Sequence, residues 1–375
     1  MRSLILFHLI FCLLMNAYAG RAAFALRSIF RVERMNNHAI VPATSLHLST
    51  KAAPNIDSLD RLEVTVIVDN ESDTMSSGIE NVKGFHYLSE KQKKTKLCQA
   101  GHGLSLLLRG SCRESTHTLL VDAGPDPDLW KTNAANLQID LQRIDAAVLT
   151  HYHWDHSAGF RGAIPSIASS RQGYPPLLVD LHSAEILSRG RPSEAGGVVP
   201  HKPDNPGVEE LNLLGANTVK HSSEHTLCNG MFYISGHIPR NSKYETGIPN
   251  HLSLIDGKWV EDEEIADERY VAMHVKNRGI VVISACSHAG IINVCRDARE
   301  RFGGAPLFAV IGGFHLGGKQ VENRIPQTIA DLKEMDPKIV LAGHCTGWRA
   351  KAMLANQLPN GFQPLAVGAS YVFSK

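Results

Sequence analysis

Six consecutive residues, His151-Tyr-His-Trp-Asp-His156, constrain this chain more than any other stretch. They follow Arg143-Ile-Asp-Ala-Ala-Val-Leu-Thr150, a short apolar run with β-branched residues that reads as a buried strand. After them, from Ser157 to Phe160 and onward, the pattern loosens into a loop and then a helix. His151, His153, Asp155 and His156 thus stand where a strand ends, with rigid backbone behind them and open space in front. Imidazole nitrogen and carboxylate oxygen are ligands that Zn²⁺, Fe²⁺ and Mn²⁺ accept. Three histidines and an aspartate so close together exceed what one ion with an open position needs. Two neighbouring ions are the simplest solution, His151 and His153 on one, Asp155 and His156 on the other. A solvated loop has no need of four ligand-type residues directly behind a buried strand.

Composition narrows the class. A net charge of +1 over 375 residues, 43% of them hydrophobic, fits a globular protein and argues against an electrostatic nucleic-acid binder, which needs a basic face. Residues 1–19 read as a signal peptide: a positive start, an apolar run from Leu4 to Leu14, and Ala17-Tyr-Ala19. That run is too short for a membrane span, which takes about 20 residues. Residues 20–54 carry five basic residues against Glu33, with Ser and Thr, as transit segments do. The expected route is secretory entry with onward import into a plastid; a mitochondrial presequence is the alternative. No Cys-x-x-Cys pair occurs, and Cys286 and Cys345 adjoin candidate site residues, which suits reduced thiols better than a disulfide framework.

From residue 55 to 375 a single catalytic domain is expected. Leu62–Asp69 reads as a first strand, and Lys91–Lys96 as a solvated lysine-rich loop. Gly103–Leu108 and Thr116–Val121 form a hairpin that ends in Asp122-Ala-Gly124. Pro176–Leu181 is a strand, Ser183–Ser188 a short helix, Gly190–Val208 a Pro- and Gly-rich loop, and Met231–Ser235 a strand. Asn241–Arg269 reads as a polar insertion of the kind that forms lids. Strands follow at Tyr270–Val275, Gly279–Ser284, Pro306–Ile311 and Lys338–Ala342, with helices at Ile291–Phe302, Arg324–Met335 and Trp348–Leu358. Two halves that each begin with hairpin-like strands suit an α/β (α+β) fold: an αββα sandwich of two mixed sheets, with ligands on loops at one sheet edge.

The run His151–His156 resembles the H-x-H-x-D-H motif of the metallo-β-lactamase superfamily. Further segments carry the likeness from about residue 60 to 375: His102-Gly-Leu-Ser, Gly236-His-Ile-Pro-Arg240, Cys286-Ser-His-Ala-Gly-Ile-Ile-Asn293, Gly312-Gly-Phe-His-Leu316 and His344-Cys-Thr-Gly347. Together they resemble the branch named for 7,8-dihydropterin-6-methyl-4-(β-D-ribofuranosyl)aminobenzene-5′-phosphate synthase. The resemblance implies that Asp122 orients a metal-bound histidine, that His344 is the last ligand of the second ion, and that a further histidine completes the first. His288 and His237 compete for that place, and the branch favours His288. His102, His237, Arg240, Cys286 and His315 are pocket candidates, Arg240 for an anionic group. Many superfamily members place a bridging Asp where this chain has Ala285-Cys286, so Cys286 is either a soft ligand or no bridge.

The implied cofactor is Zn²⁺, as one or two ions, with Fe²⁺ or Mn²⁺ as alternatives. The expected activity is metal-dependent hydrolysis of an ester-, lactone- or phosphoester-type small molecule, with Asp155 as ligand and proton acceptor. A transferase displacing diphosphate from a pterin, and a non-catalytic metal binder, are the alternatives. The partner is a small molecule, phosphorylated ones included, with no nucleic acid and no membrane span in the mature chain. Nothing in the pattern signals an oligomeric state.

Overall fold

The computed structural model describes residues 56–73, 75–79 and 97–375. The expected signal peptide, the transit segment and the Lys91–Lys96 loop lie outside the described residues.

Strand Gly279–Ser284 shows how the layers arise. Its Val281 and Ile283 enter one apolar core, while Ile280 and Val282 enter another. Successive side chains of a strand point to opposite faces, so an unbroken apolar run means burial on both. The first core lies between two sheets, where Val64, Val66, Leu106 and Leu108 of one pack with Ile283, Ile311 and Leu341 of the other. The second joins the outer face of one sheet to helices Ile291–Arg301, Ile325–Glu334 and Trp348–Gln357. A third joins the other sheet to helices Pro127–Asn136 and Phe160–Ser170. The result is the expected αββα sandwich.

Among the described residues one main sheet has eight strands. Gly279–Ser284, Leu307–Gly313 and Ile339–Gly343 run parallel at its centre. The other has seven, with Ser115–Val121, Ala146–Val148 and Leu177–His182 parallel. The carboxyl ends of these strands lead directly into Asp122, the His151–His156 run, Cys286–His288, His315 and His344. Parallel strands present such ends at a common edge, where loops are free to carry chemistry on a rigid base.

Three expectations change. The expected strand Arg143–Thr150 shrinks to Ala146–Val148, and Leu141–Arg143 is a 3-10 turn. Beyond it, Thr150 N–H donates to the Asp122 carboxylate at 2.7 Å instead of to a strand. Ser183–Ser188 is not a helix: Ser183 N–H donates to His221 O and Leu187 N–H to Leu254 O, so neighbours take its backbone. The loop Gly190–Val208 and the insertion Asn241–Arg269 contain strands. Ser188–Pro192, Val198–Pro200, Leu252–Ile255 and Lys258–Glu261 form a separate four-stranded auxiliary sheet. Helix Pro127–Asn136 escaped notice although Asp126-Pro127 announces it: Asp126 accepts from Asp128 N and Leu129 N, and proline takes the first position.

Ile283 is fully buried between the two main sheets. Ile283→Ala should cost about 2–5 kcal/mol, read as a lower midpoint in denaturant at unchanged slope.

Candidate metal centre

Asp122 is the first fixed point. It is fully buried, its φ is 54°, and its carboxylate accepts from Thr150 N, from Thr150 Oγ1 at 2.8 Å and from His156 Nδ1 at 2.8 Å. This turns His156 Nε2 inward, to 3.2 Å from both Cys286 Sγ and His344 Nε2. Cys286 Sγ and His344 Nε2 are also 3.2 Å apart. Asp155 Oδ2 approaches the same group, at 3.4 Å from His344 Nε2 and 3.8 Å from His156 Nε2.

A second group adjoins it. His151 Nε2 lies 2.9 Å from His153 Nδ1, and His288 Nε2 lies 3.2 Å and 3.1 Å from those two atoms. Four ligands on an ion with bonds near 2.0–2.1 Å stand about 3.3 Å from one another, so both triangles have the right size. Cys286 Sγ also falls within 4.8 Å of the ligand nitrogens of His151 and His156, beside both groups.

The electrostatics agree with a cation. Burial, reinforced by neighbouring positive groups, holds His151, His153 and His288 well below the usual imidazole range. Burial does the same for His344. Neutral rings offer lone pairs. Burial also lowers His156, but the Asp155 charge and the Asp122 hydrogen bond outweigh it and hold this ring at about 9. Without an ion, His156 therefore keeps a proton where a cation is favoured. Burial pushes the Cys286 thiol up, so a neighbouring cation is what would ionise it. These residues can hold a divalent metal.

The backbone is fixed just as closely. Asp122, Ser287, His315 and His344 all occupy the left-handed region, with φ of 54°, 60°, 46° and 46°. Such residues cost on the order of 1–3 kcal/mol each and persist where surroundings over-determine them. His344 N–H donates to Asp69 Oδ1 at 2.9 Å, and its Nδ1 is 3.0 Å from Asn70 Oδ1. A Cβ at Gly343 would run into that Asp69 carboxylate, so glycine is required there. Glu268 accepts from His288 N and Ala289 N at 2.7 Å each. Burial raises the Glu268 carboxyl to about 7 and that of Asp69 to about 7.

His153 and His288 of one group and Asp155, Cys286 and His344 of the other line a cleft of about 460 Å³, whose other walls include His102, Trp154, His201, Ile248, His251 and His315. His102 Nε2 is 3.4 Å from Asp155 Oδ2, and the His315 ring is centred 4.4 Å from that of His288. The structure does not bring His237 here: it is exposed and borders a separate small cavity with Arg240 and Glu264. Arg240 is spent on backbone, donating to the carbonyls of His288 and Glu264. Asp69, Asn70, His201, His251 and Glu268 are not among the site residues expected from the sequence. The acidic residues Asp267 and Glu268 beside Arg269, at the start of an apolar strand, were the available signal.

The family model described as the metallo-beta-lactamase superfamily matches residues 99–238. A relative from Methanocaldococcus jannaschii, named 7,8-dihydropterin-6-methyl-4-(beta-D-ribofuranosyl)-aminobenzene-5′-phosphate synthase, is 26% identical, covering 77% of this chain and 96% of the relative. A second, uncharacterized protein of that organism is 27% identical over 70% of this chain and 90% of its own length. Among solved structures, Tm1679, described as a metal-dependent hydrolase of the beta-lactamase superfamily, matches with a TM-score of 0.60 at 21% identity. That match covers 84% of this chain and 100% of the other. Over residues 99–238 the chain is thus similar to the metallo-β-lactamase superfamily, and it shares the fold of Tm1679.

If Asp122 aims His156 at an ion, Asp122→Ala should weaken metal binding about 10–100-fold. Metal-to-protein ratios after equilibration with a competing chelator would show it; ratios equal to wild type would dismiss that role.

Proposed function

We propose that this protein is a metal-dependent hydrolase of small molecules carrying an ester, lactone or phosphoester bond. The observation that carries the reading is the pair of donor groups sharing Cys286 on the floor of one cleft. His151, His153 and His288 hold the first ion; Asp155, His156, His344 and Cys286 hold the second. Such ions bring a water whose pKa falls from about 15.7 to near 7 and a Lewis acid for the substrate oxygen. The protein positions and protonates. Asp155 lies between the second group and His102, placed to take a proton and pass it to the rim. His315 and Trp154 wall the space where substrate sits. Cys286, a thiol where a carboxylate is common, favours Zn²⁺ or Fe²⁺ over Mn²⁺.

A second reading is a synthase acting on a pterin, favoured by the relative that shares 26% identity across nearly its whole length. It uses the same centre to grip a diphosphate leaving group.

One experiment separates them. Purified protein, with and without chelator, is offered esters, thioesters, lactones and phosphoesters, and separately a pterin diphosphate with an arylamine. Hydrolysis that stops with chelator and returns with Zn²⁺ is expected, falling on the order of 100–1000-fold in His151→Ala, as for loss of one charge-stabilising group. Diphosphate release that requires the arylamine, with no hydrolysis, would establish the second reading instead.

A further inference from the structure

Each candidate ligand histidine has an inner nitrogen facing the donor groups and an outer one facing away. The outer nitrogens of His151, His156 and His344 meet oxygen: Thr150 Oγ1 at 3.0 Å, Asp122 Oδ2 at 2.8 Å and Asn70 Oδ1 at 3.0 Å. His153 differs. Its inner atom is Nδ1, and its outer Nε2 lies 3.1 Å from Nε2 of His251. His251 immediately precedes strand Leu252–Ile255 of the auxiliary sheet and is 5% exposed.

We propose that His251 is a positioning residue for His153, reached from outside the two main sheets. An imidazole that offers the Nδ1 lone pair to a cation carries its hydrogen on Nε2. His153 therefore donates and His251 Nε2 accepts; the hydrogen of His251 then sits on Nδ1, a buried atom without a hydrogen-bond partner among the described residues. This arrangement sets both the tautomer and the ring plane of His153. A His153 ring turned over would bring Nε2 to the ion and leave its Nδ1–H without this acceptor. The auxiliary sheet is itself tied to the same loop, because Arg189 Nε donates to Tyr152 O at 2.9 Å. His251 thus acts on the first ion through His153, whereas His156 and His344 of the second group are held by Asp122, Asp69 and Asn70.

The inference rests on the reading that the centre binds metal, and the test keeps the two apart. Metal-stripped full-length wild type, His251→Phe and His251→Gln are titrated with Zn²⁺ against a chromophoric chelator. Wild type without Zn²⁺ binding would remove the metal reading itself. With binding established, His251→Phe should weaken one of the two sites about 10–100-fold and leave the other unchanged. His251→Gln, whose amide oxygen can accept in the same place, should recover most of the loss. It keeps the test decisive if the phenylalanine variant does not fold. In Zn²⁺-loaded protein with ¹⁵N-labelled histidine, the His153 Nε2–H resonance should be slow to exchange in wild type and in the glutamine variant, and fast in the phenylalanine one. Unchanged affinities with an unmoved resonance in His251→Phe, or a glutamine variant that folds yet loses as much as phenylalanine, would overturn the proposal.

Discussion

Three consecutive buried charges, Asp267, Glu268 and Arg269, hold the two halves of the centre together. Asp267 accepts from Tyr152 N at 2.7 Å, inside the His151–His156 run. Glu268 accepts from His288 N and Ala289 N, in the loop of the opposite sheet. Arg269 donates to Leu149 O at 2.7 Å and to the Asp180 carboxylate, and its backbone N–H bonds Thr150 O. Donor atoms carried by different sheets must converge to within tenths of an ångström, and apolar packing alone is too forgiving for that. Burying charge is costly unless each group is paired. Here Asp267 meets Arg189, Arg269 meets Asp180, and Glu268 meets two backbone N–H groups. Glu268 has the poorest compensation, and its carboxyl rises accordingly.

What could be read in the sequence follows from how local each constraint is. The His151–His156 run declares itself because four donors lie within one loop. Gly279–Ser284 and its parallel neighbours declare themselves because burial on both faces leaves an unbroken apolar run. His288 was separable from His237 only through family likeness, since both follow strands; the fold places one beside His151 and leaves the other exposed. The auxiliary sheet was illegible for a different reason. Leu252 pairs with Gly190, more than sixty residues away, and neither short segment has a pattern strong enough to announce a strand. The helix expected at Ser183–Ser188 rested on too few residues to nucleate without tertiary help. Tertiary contacts instead drew its backbone into the neighbouring strands.

The same distinction governs how the cleft and the centre are built. The donor groups stand on strand ends of the two main sheets, whose apolar cores leave little freedom to move. His201 and His251 come from the auxiliary sheet, and Ile248 from the insertion that leads into it. Cleft shape can thus vary with these segments while the donors stay fixed by Asp122, Asp69 and Glu268. Independence is incomplete, because Arg189 joins Tyr152 O, Ser253 Oγ and Asp262 through one buried guanidinium. A change in the auxiliary sheet that shifts Arg189 therefore reaches the backbone between His151 and His153. The auxiliary sheet and the donor-bearing loop meet at that residue, and a sheet peripheral to the fold is in this way structurally continuous with its centre.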